Sequence, residues 1–397
     1  MRATLHVLIV TAALAGPAGA QSPSLPSFSD WEAVVEAARG QTVDWYAWGG
    51  ETHINDYIAW VGGEAEARYG ITVNHVKVTD TAEAVARVLA EKAAGRSSGG
   101  AVDLVWINGE NFVAMQENDL LLEGRWAEAL PNRDLVDMAR YGDAIRTDFG
   151  VDVRGQESPW GRAQLAMIYD AERTREPPKS LAGLRRFAEA NPGRFTYPQP
   201  PNFTGTTFLK QVLLDTVQDR AVLYEPAGEN AAEVVRDALL PFLEALHPHL
   251  WRSGEGFPEG VGDLRRLYAD GEIELALTGN PSDAVAGVND GLLPPASRIA
   301  AFEGGTIGNV HFVAVPWNAQ DVAGALVLAN LLLEPDAQAR KADPAHWGDP
   351  TVLDVDALPD EARAAFGEGV EVDAPTLAEP HASWTPIIER VWAEAFL

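Results

Sequence analysis

Short apolar runs with a period of two alternate along the chain with longer segments in which apolar residues recur every three or four positions. The run 42–48 and the run 71–78 read as strands, and the run 101–107 is apolar almost throughout, as in a strand buried on both faces. Helices are predicted between and after these strands, over 55–69, 81–94 and from 112 onward. This order predicts an open α/β layer that ends near residue 157.

A second unit with the same pattern follows. Pro177 and Pro178 end the preceding strand, and Ser180 is a good N-cap for a helix over 181–189. The other predicted elements of this unit are a short strand at 194–198, helices at 208–217, 264–270 and 282–288, and a strand at 272–278. Two units of the same kind predict two lobes with a cleft between them.

Two apolar stretches are suited to cross between the lobes. The stretch 157–169 (ESPWGRAQLAMIY) leaves the first lobe, and the stretch 304–316 (GGTIGNVHFVAVP) returns to it, so we expect hinges near 159–161 and 304–309. The resulting division is a leader at 1–20, the first part of lobe 1 at 21–157, lobe 2 at 158–304, a return to lobe 1 at 305–349, and a C-terminal segment at 350–397 that packs on lobe 2.

The N-terminus has the pattern of a cleaved export signal. Arg2 precedes an apolar run at 5–14, and small residues ending at Ala20 predict cleavage before Gln21. An apolar run of about ten residues is too short to cross a bilayer, so we expect no stable membrane insertion. The chain has 0 cysteines, which excludes a lipid-anchor cysteine and a disulfide framework. These features predict a protein that diffuses freely in the periplasm.

The charge of the chain limits its partners. The formal net charge is -28, and loss of Arg2 with the leader would change it to -29, that is, -28 minus 1. Such a field repels nucleic acid and anionic lipid surfaces and attracts small cations, although it also serves solubility. We therefore expect no nucleic-acid partner.

The sequence patterns that could indicate catalysis lack the structural context that catalysis requires. The Gly-x-Ser-x-Gly string at 95–99 follows a predicted helix and precedes a strand, whereas a nucleophile elbow needs the reverse order. The histidines lack the spacing of metal ligands. No catalytic residue, metal site or cofactor is predicted, and the chain is expected to be a binding protein and not an enzyme. An exported hydrolase or lyase with paired carboxylates, or a sensor, remains an alternative of a different class.

Five stretches carry a family resemblance by their order and spacing: VDWYAWGG, VDLVWINGENF, SPWGRAQLAMIYD, ADGEIELALTGN and GGTIGNVHFVAVPWNA. The chain resembles the extracellular solute-binding superfamily of the maltose, iron, polyamine and thiamine type, the ligand-capturing components of ABC importers. The first strand and the Asn-Gly-Glu-Asn turn are most similar to a subfamily of thiamine-type transporters. The resemblance implies a type II periplasmic-binding-protein fold of two α/β lobes, each an open mixed sheet flanked by helices. It also implies a receptor, expected to be monomeric, that closes on a small-molecule solute and docks on an ABC permease in the inner membrane.

Candidate binding residues follow from the general position of ligands at the carboxyl ends of strands and at helix N-termini. Aromatic faces at these ends can hold a cation or stack on a ring, and a carboxylate such as Glu110 or Asp283 can pair with a positive charge. Glu110 could instead only stabilise a helix dipole, and any one tryptophan could instead be a packing residue. The candidates are Trp48, Gly49, Trp106, Asn108, Glu110, Trp160, Phe203, Thr204, Trp251, Asn280, Asp283 and Asn309. The expected solute is a thiamine-like or other organic cation; a polyamine, a sugar or a metal ion stays open.

Overall fold

The structure is a computed structural model that describes residues 27–367, 369–370 and 372–397. The predicted leader at 1–20 and the predicted mature start at Gln21 lie outside the described residues.

Strands and helices alternate as the apolar pattern predicts. The strands are β1 (Thr42–Trp48), β2 (Thr72–Val78), β3 (Leu104–Ile107), β4 (Thr147–Asp148), β5 (Val151–Asp152), β6 (Glu157–Gln164), β7 (Ala166–Asp170), β8 (Leu275–Thr278), β9 (Ser297–Ala300), β10 (Thr306–Ala314) and β11 (Thr376–Leu377). The helices are α1 (Trp31–Ala38), α2 (Thr52–Tyr69), α3 (Ala82–Ala93), α4 (Glu110–Glu117), α5 (Met138–Arg146), α6 (Leu181–Ala190), α7 (Phe203–Thr216), α8 (Ala231–Leu246), α9 (Val261–Ala269), α10 (Asp283–Asn289), α11 (Val322–Leu331), α12 (Pro335–Ala342), α13 (Asp360–Arg363) and α14 (Thr385–Phe396).

Lobe 1 is built on a mixed sheet with the strand order β2, β1, β3, β10, β6. β1 runs parallel to β2 and β3, whereas β10 runs antiparallel to both β3 and β6. The carboxyl ends of β1 and β3 therefore lie at one edge of the sheet, and the loops to α2 and α4 begin there. Those loops carry the first group of candidate binding residues.

Lobe 2 has a smaller sheet in the order β8, β7, β9, with both pairs antiparallel. The strand expected at 194–198 is reduced to a single parallel bridge between Phe195 and Leu275. The helices α7, α8 and α14 pack against one another and complete the lobe. The predicted α/β fold of two lobes is confirmed.

Two strands connect the lobes. β6 ends at Gln164 in the first sheet, and after Leu165 the chain continues directly as β7 in the second sheet. β10 starts beside β11 at Thr306 and ends beside β3 at Ala314. The buried core accordingly changes from lobe 1 to lobe 2 between Trp160 and Leu165, and back again between Ile307 and Val310.

The C-terminal region divides between the lobes, which corrects the expectation that all of 350–397 packs on lobe 2. Val352, Leu353 and Leu358 lie in the first core, whereas Trp384 and Trp392 lie in the second. Backbone pairing explains the difference, because Val136 and Leu353 form an antiparallel bridge that holds this segment on lobe 1. Within the described residues, helices long and apolar enough to cross a membrane are absent.

Candidate functional site

The two lobes meet at two clusters of charged side chains. The first, the Arg265 cluster, consists of Glu51 and His53 from lobe 1 and Arg265, Asp283 and Asp290 from lobe 2. The second, the Lys210 cluster, joins groups of lobe 1 to α7, to α14 and to the C-terminal segment. Its members are Glu110, Asp148, Lys210, Glu379 and Glu389.

The Arg265 cluster is a set of ion pairs that spans the cleft. The guanidinium of Arg265 donates to both carboxylate oxygens of Glu51, each at 3.2 Å, and to Asp283 Oδ2 at 2.8 Å. His53 Nε2 lies 2.5 Å from Asp290 Oδ2. Burial, and then the charge of Asp283, raise the pKa of Glu51, while Arg265 opposes that rise. Burial acts against the charge of Arg265, but the two carboxylates outweigh it and raise the pKa of Arg265.

The space left inside this cluster is small. A cavity of about 30 Å³ is lined by Glu51, His53, Arg265 and Trp347, among others. This volume holds about two water molecules, since one needs roughly 10–15 Å³ on the same measure. The lobes are therefore closed on each other here, and an organic solute could enter this part of the cleft only if they separate.

Lys210, Glu379 and Asp148, the inner members of the Lys210 cluster, are more deeply buried. Lys210 and Glu379 have side chains 2% and 3% exposed, and Lys210 Nζ lies 3.3 Å from Glu379 Oε2. Glu379 Oε1 accepts a hydrogen bond from the amide of Asn309 at 3.1 Å. Asp148 Oδ2 accepts from the backbone N–H of Gly109 at 2.6 Å. Gly109 has φ +63°, and a Cβ there would come within 2.7 Å of the Phe149 ring, so this turn requires glycine.

The carboxyl groups of the Lys210 cluster are under-compensated. Burial raises the pKa of Asp148 well above its usual value, and burial likewise raises the pKa of Glu379 and of Glu389. In all three cases the charge of Glu110 raises the pKa further and that of Lys210 opposes the rise. The site therefore holds more acidic groups than the nearby lysine can balance.

A neighbouring carboxyl group has no visible compensation. Glu157, the first residue of β6, is 2% exposed, and neither of its carboxyl oxygens has a hydrogen-bond partner among the described residues. Burial raises its pKa well above the usual range, and the charge of Asp148 adds to this effect. Burial is thus the main obstacle to ionisation of Glu157.

The lobe 1 candidates at the carboxyl ends of β1 and β3 lie at one edge of the sheet, but their environments differ. Trp48 is half-buried, and its ring lies so close to the backbone of Gly50 that a Cβ there would overlap it. Gly49 donates its N–H to the Val78 carbonyl at 3.1 Å. Asn108 is half-buried in the turn after β3, and Glu110 is exposed at the start of α4.

Trp106 and Trp160 belong to an aromatic group in lobe 1. Trp106 is half-buried, and its ring centroid lies 4.9 Å from that of Trp160 and 5.7 Å from that of Trp347. Trp160 is 0% exposed and also meets Trp45 edge to face at 5.5 Å. In this closed form Trp160 offers no surface to a solute, because packing surrounds it entirely. The sequence could not separate these roles, since a tryptophan serves packing and binding equally well.

Two of the lobe 2 candidates lie at the N-terminus of α7 and one lies elsewhere. Asn202 caps this helix by accepting from the N–H of Thr204 at 3.1 Å, and Phe203 is 44% exposed. Trp251 instead lines a surface groove with Phe257, and its Nε1 donates to Glu272 at 2.9 Å. The structure thus does not bring Trp251 to either charged cluster.

The remaining candidates join the clusters. Asp283 belongs to the Arg265 cluster, and Asn280 beside it donates across the cleft to the carbonyl of Trp347 at 3.2 Å. Asn309 contacts Glu379 in the Lys210 cluster. Sequence reasoning missed Lys210, Asp148, Glu379, Glu389, Glu51 and Arg265. For Lys210 a signal existed, because it is a lone charge within the apolar segment of α7.

No group of three or more His, Asp or Glu side chains suited to hold a metal ion occurs in the part of the chain that the structure describes.

Two α/β lobes joined by crossing strands, with charged groups facing one another across a cleft, form an arrangement that can enclose a small solute. The family model for bacterial extracellular solute-binding proteins matches residues 63–365, and the chain belongs to this family. The predicted family is thereby confirmed.

The chain is also similar to particular proteins. Protein YnjB of Escherichia coli (strain K12) is 47% identical over 369 residues, which cover 93% of this chain and 94% of YnjB. The periplasmic binding protein AfuA of Actinobacillus pleuropneumoniae, with fructose-6-phosphate bound, has a TM-score of 0.63 at 13% identity and covers 90% of this chain and 99% of its own. Iron-bound HitA of Pseudomonas aeruginosa has a TM-score of 0.60 at 17% identity, with 88% and 98% covered. These structures share the fold, which confirms the predicted type II architecture.

Proposed function

We propose that this protein is the periplasmic solute-binding component of an ABC importer, which captures an organic cation between its lobes and delivers it to a membrane permease. Membership of an extracellular solute-binding family supports a role in binding and not in catalysis. The export pattern at 1–20 supports a periplasmic location. We also propose that the protein acts as a monomer.

We infer that the solute is a cation because carboxyl groups outnumber basic groups between the lobes. In the Lys210 cluster, burial raises the pKa of Asp148, Glu379 and Glu389, and the positive charge of Lys210 opposes the rise. A bound cation would stabilise the ionised acids, and at short range in a dry cleft this attraction is stronger than in water. An anionic solute would meet repulsion from the same groups.

Thiamine-like compounds are the first candidates because they combine a positive charge with aromatic rings. Trp48, Trp106 and Phe203 are the exposed or half-buried candidate rings at the sheet edge of lobe 1 and at the helix terminus of lobe 2. Each aromatic face is worth about 0.5–2 kcal/mol to a cation. A linear polyamine is the second candidate, because acidic groups occur in both clusters and two separated ammonium groups could reach one each.

Capture would proceed by closure of the lobes. In the closed form the ion pair between Arg265 and Glu51 joins the lobes, so opening must break it while Arg265 keeps Asp283. A solute that contacts both lobes favours the closed form by its differential affinity. Closed lobes would then present one defined surface to a permease.

The test is thermal unfolding of protein that has been unfolded and refolded to remove carried-over solute. The panel contains thiamine and its phosphates, putrescine, spermidine, choline, a neutral sugar and fructose-6-phosphate. A cation at 100 times its dissociation constant should add about 2.7 kcal/mol to the free energy of unfolding, and its affinity should fall as salt increases.

Stabilisation by the sugar or the sugar phosphate, with none from any cation, would contradict the proposal. A matched pair of variants sharpens the test. Glu110→Gln at the cleft end of α4 should weaken cation binding, whereas Glu117→Gln at the other end of the same helix should not.

A further inference from the structure

One lysine is buried where the lobes meet. Residues 204–214 of α7 are all buried, and Lys210 among them has a side chain only 2% exposed. A buried ammonium is costly unless charges or dipoles compensate it. The groups around its nitrogen therefore indicate what this position is built to hold.

The nitrogen of Lys210 lies in a cage made by three parts of the chain. It lies 4.2 Å from the ring centroid of Phe149, which follows β4 in lobe 1. It lies 3.3 Å from Glu379 Oε2 in the C-terminal segment, and Asp148 is the residue before Phe149. An aromatic face combined with carboxylates is an arrangement by which proteins bind organic cations. The cage lies between the lobes, since Phe149 follows β4 of lobe 1 and Glu379 comes two residues after Leu377, which packs against the core of lobe 2.

Lys210 leaves hydrogen-bonding capacity in the cage unused. The buried Glu379 Oε2 faces the Lys210 nitrogen at 3.3 Å, and no other described residue donates a hydrogen bond to it. The buried Oδ1 of Asn309, whose amide donates to Glu379 Oε1, also has no partner among the described residues. A cation with more donors or a larger charged surface could therefore be held here in place of the lysine.

We propose that the cage of Phe149, Asp148, Asn309 and Glu379 is a subsite for the positively charged group of the solute, and that Lys210 occupies it as an internal competitor. The inference rests on the proposed function in so far as the solute is a cation. When the lobes separate, Phe149 and Asp148 move with lobe 1 away from α7, and the cage becomes accessible. Because Lys210 competes for the cage, it lowers the affinity for cationic solutes. In the absence of solute, Lys210 stabilises the closed form.

Chemical rescue tests the cage without knowledge of the solute. Lys210→Ala removes three methylene groups and the ammonium, which n-propylammonium replaces, and 1-propanol is a neutral molecule of similar size. The amine should raise the thermal midpoint of this variant and leave the wild type unchanged, and the alcohol should raise neither. Lys179→Ala is the matched control, because Lys179 forms an exposed ion pair with Glu303 in lobe 2. Equal effects of amine and alcohol, or equal rescue of the Lys179 variant, would overturn the proposed cage.

Calorimetric titration tests the competition. Lys210→Ala, which removes both the charge and the volume of the side chain from the cage, should bind thiamine or spermidine at least about tenfold more tightly than the wild type, a difference of about 1.4 kcal/mol. Lys210→Arg should bind as the wild type does. Unchanged or weaker binding by Lys210→Ala would overturn the role as a competitor. If no cation binds the wild type or Lys210→Ala, the competition and the proposed function fail together, while the rescue experiment still decides whether the cage exists.

Discussion

The ion pair between Glu51 and Arg265 should control how far the lobes close in the absence of solute. Glu51→Ala is the informative change because it removes the lobe 1 partner and leaves Arg265 paired with Asp283 in lobe 2. Removal of Arg265 would instead leave two carboxylates facing each other, and its effect would combine a lost attraction with a new repulsion.

The magnitude follows from the geometry. Two charged hydrogen bonds of 3.2 Å join side chains that are 19% and 22% exposed. A hydrogen bond to a charged group contributes about 1.5–3 kcal/mol net. Burial opposes ionisation of Glu51, as its raised pKa shows, so we expect the pair to favour closure by about 1–2 kcal/mol, a factor of about 5–30 in the closed-to-open ratio.

Single-molecule energy transfer measures this ratio. The chain has 0 cysteines, so Glu66→Cys on α2 and Glu233→Cys on α8 place one dye on each lobe. Glu51→Ala should move the solute-free population toward low energy transfer, which reports the open form. Glu334→Ala is the control, because Glu334 pairs with Arg68 at 2.6 Å inside lobe 1 and is similarly buried. Identical transfer distributions for Glu51→Ala and the wild type would refute the reasoning.

Two further changes test buried groups within and between the lobes. Because folding raises the pKa of Glu157, the folded chain keeps a proton on this group over a pH range in which the unfolded chain has lost it. The resulting stabilisation is complete below the pKa of the unfolded state, and it is lost as the pH rises through the pKa of the folded state. In urea unfolding, Glu157→Gln should therefore gain stability relative to the wild type as the pH rises above the ordinary carboxyl pKa value of 4.5, by up to about 1.4 kcal/mol per pH unit. Stability curves that stay parallel with pH would contradict this. Gly161→Ala should cost about 1–3 kcal/mol in unfolding free energy, because the added Cβ would overlap Asp349 Oδ2 and lie 2.8 Å from Lys341 Nζ. Gly63→Ala is the control, because Gly63 lies in α2 and an added Cβ there meets no neighbouring atom within 4 Å. This change should increase the unfolding free energy by about 0.5–1 kcal/mol in the same assay. An equal loss of stability at both glycines would contradict tight packing around the crossing strand β6.

Local patterns were enough to predict most elements of the fold. The period-two run at 42–48 became β1, and the apolar stretch 157–169 became β6 and β7, because side-chain alternation records which faces are buried. The segment after residue 350 was harder, since short helical pieces between prolines carry little periodicity. Its placement depends on a backbone bridge between Val136 and Leu353, which are far apart in the chain.

For candidate residues on or just after a strand, position along the strand decides position in space. Asn280, Asp283 and Asn309 follow or lie on strands that reach the cleft, and the structure places all three in contacts there. Tryptophan content was a weaker guide, because Trp160 fills the core of lobe 1 and Trp251 lies in a separate groove of lobe 2. An aromatic ring serves packing and binding equally well, and only its exposure distinguishes them.

The sequence by itself determined the two α/β lobes, the crossing strands and the acidic character of the molecule, because hydrophobic periodicity and net charge are properties of neighbouring residues and of composition. Only the tertiary structure decided which charges face one another. Asp148, Lys210 and Glu379 come from three distant segments, and their proximity arises when the lobes and the C-terminal segment pack together. Burial at that junction then changes the cost of each charge, and this cost, absent from any local pattern, is the basis of the proposal that the solute is a cation.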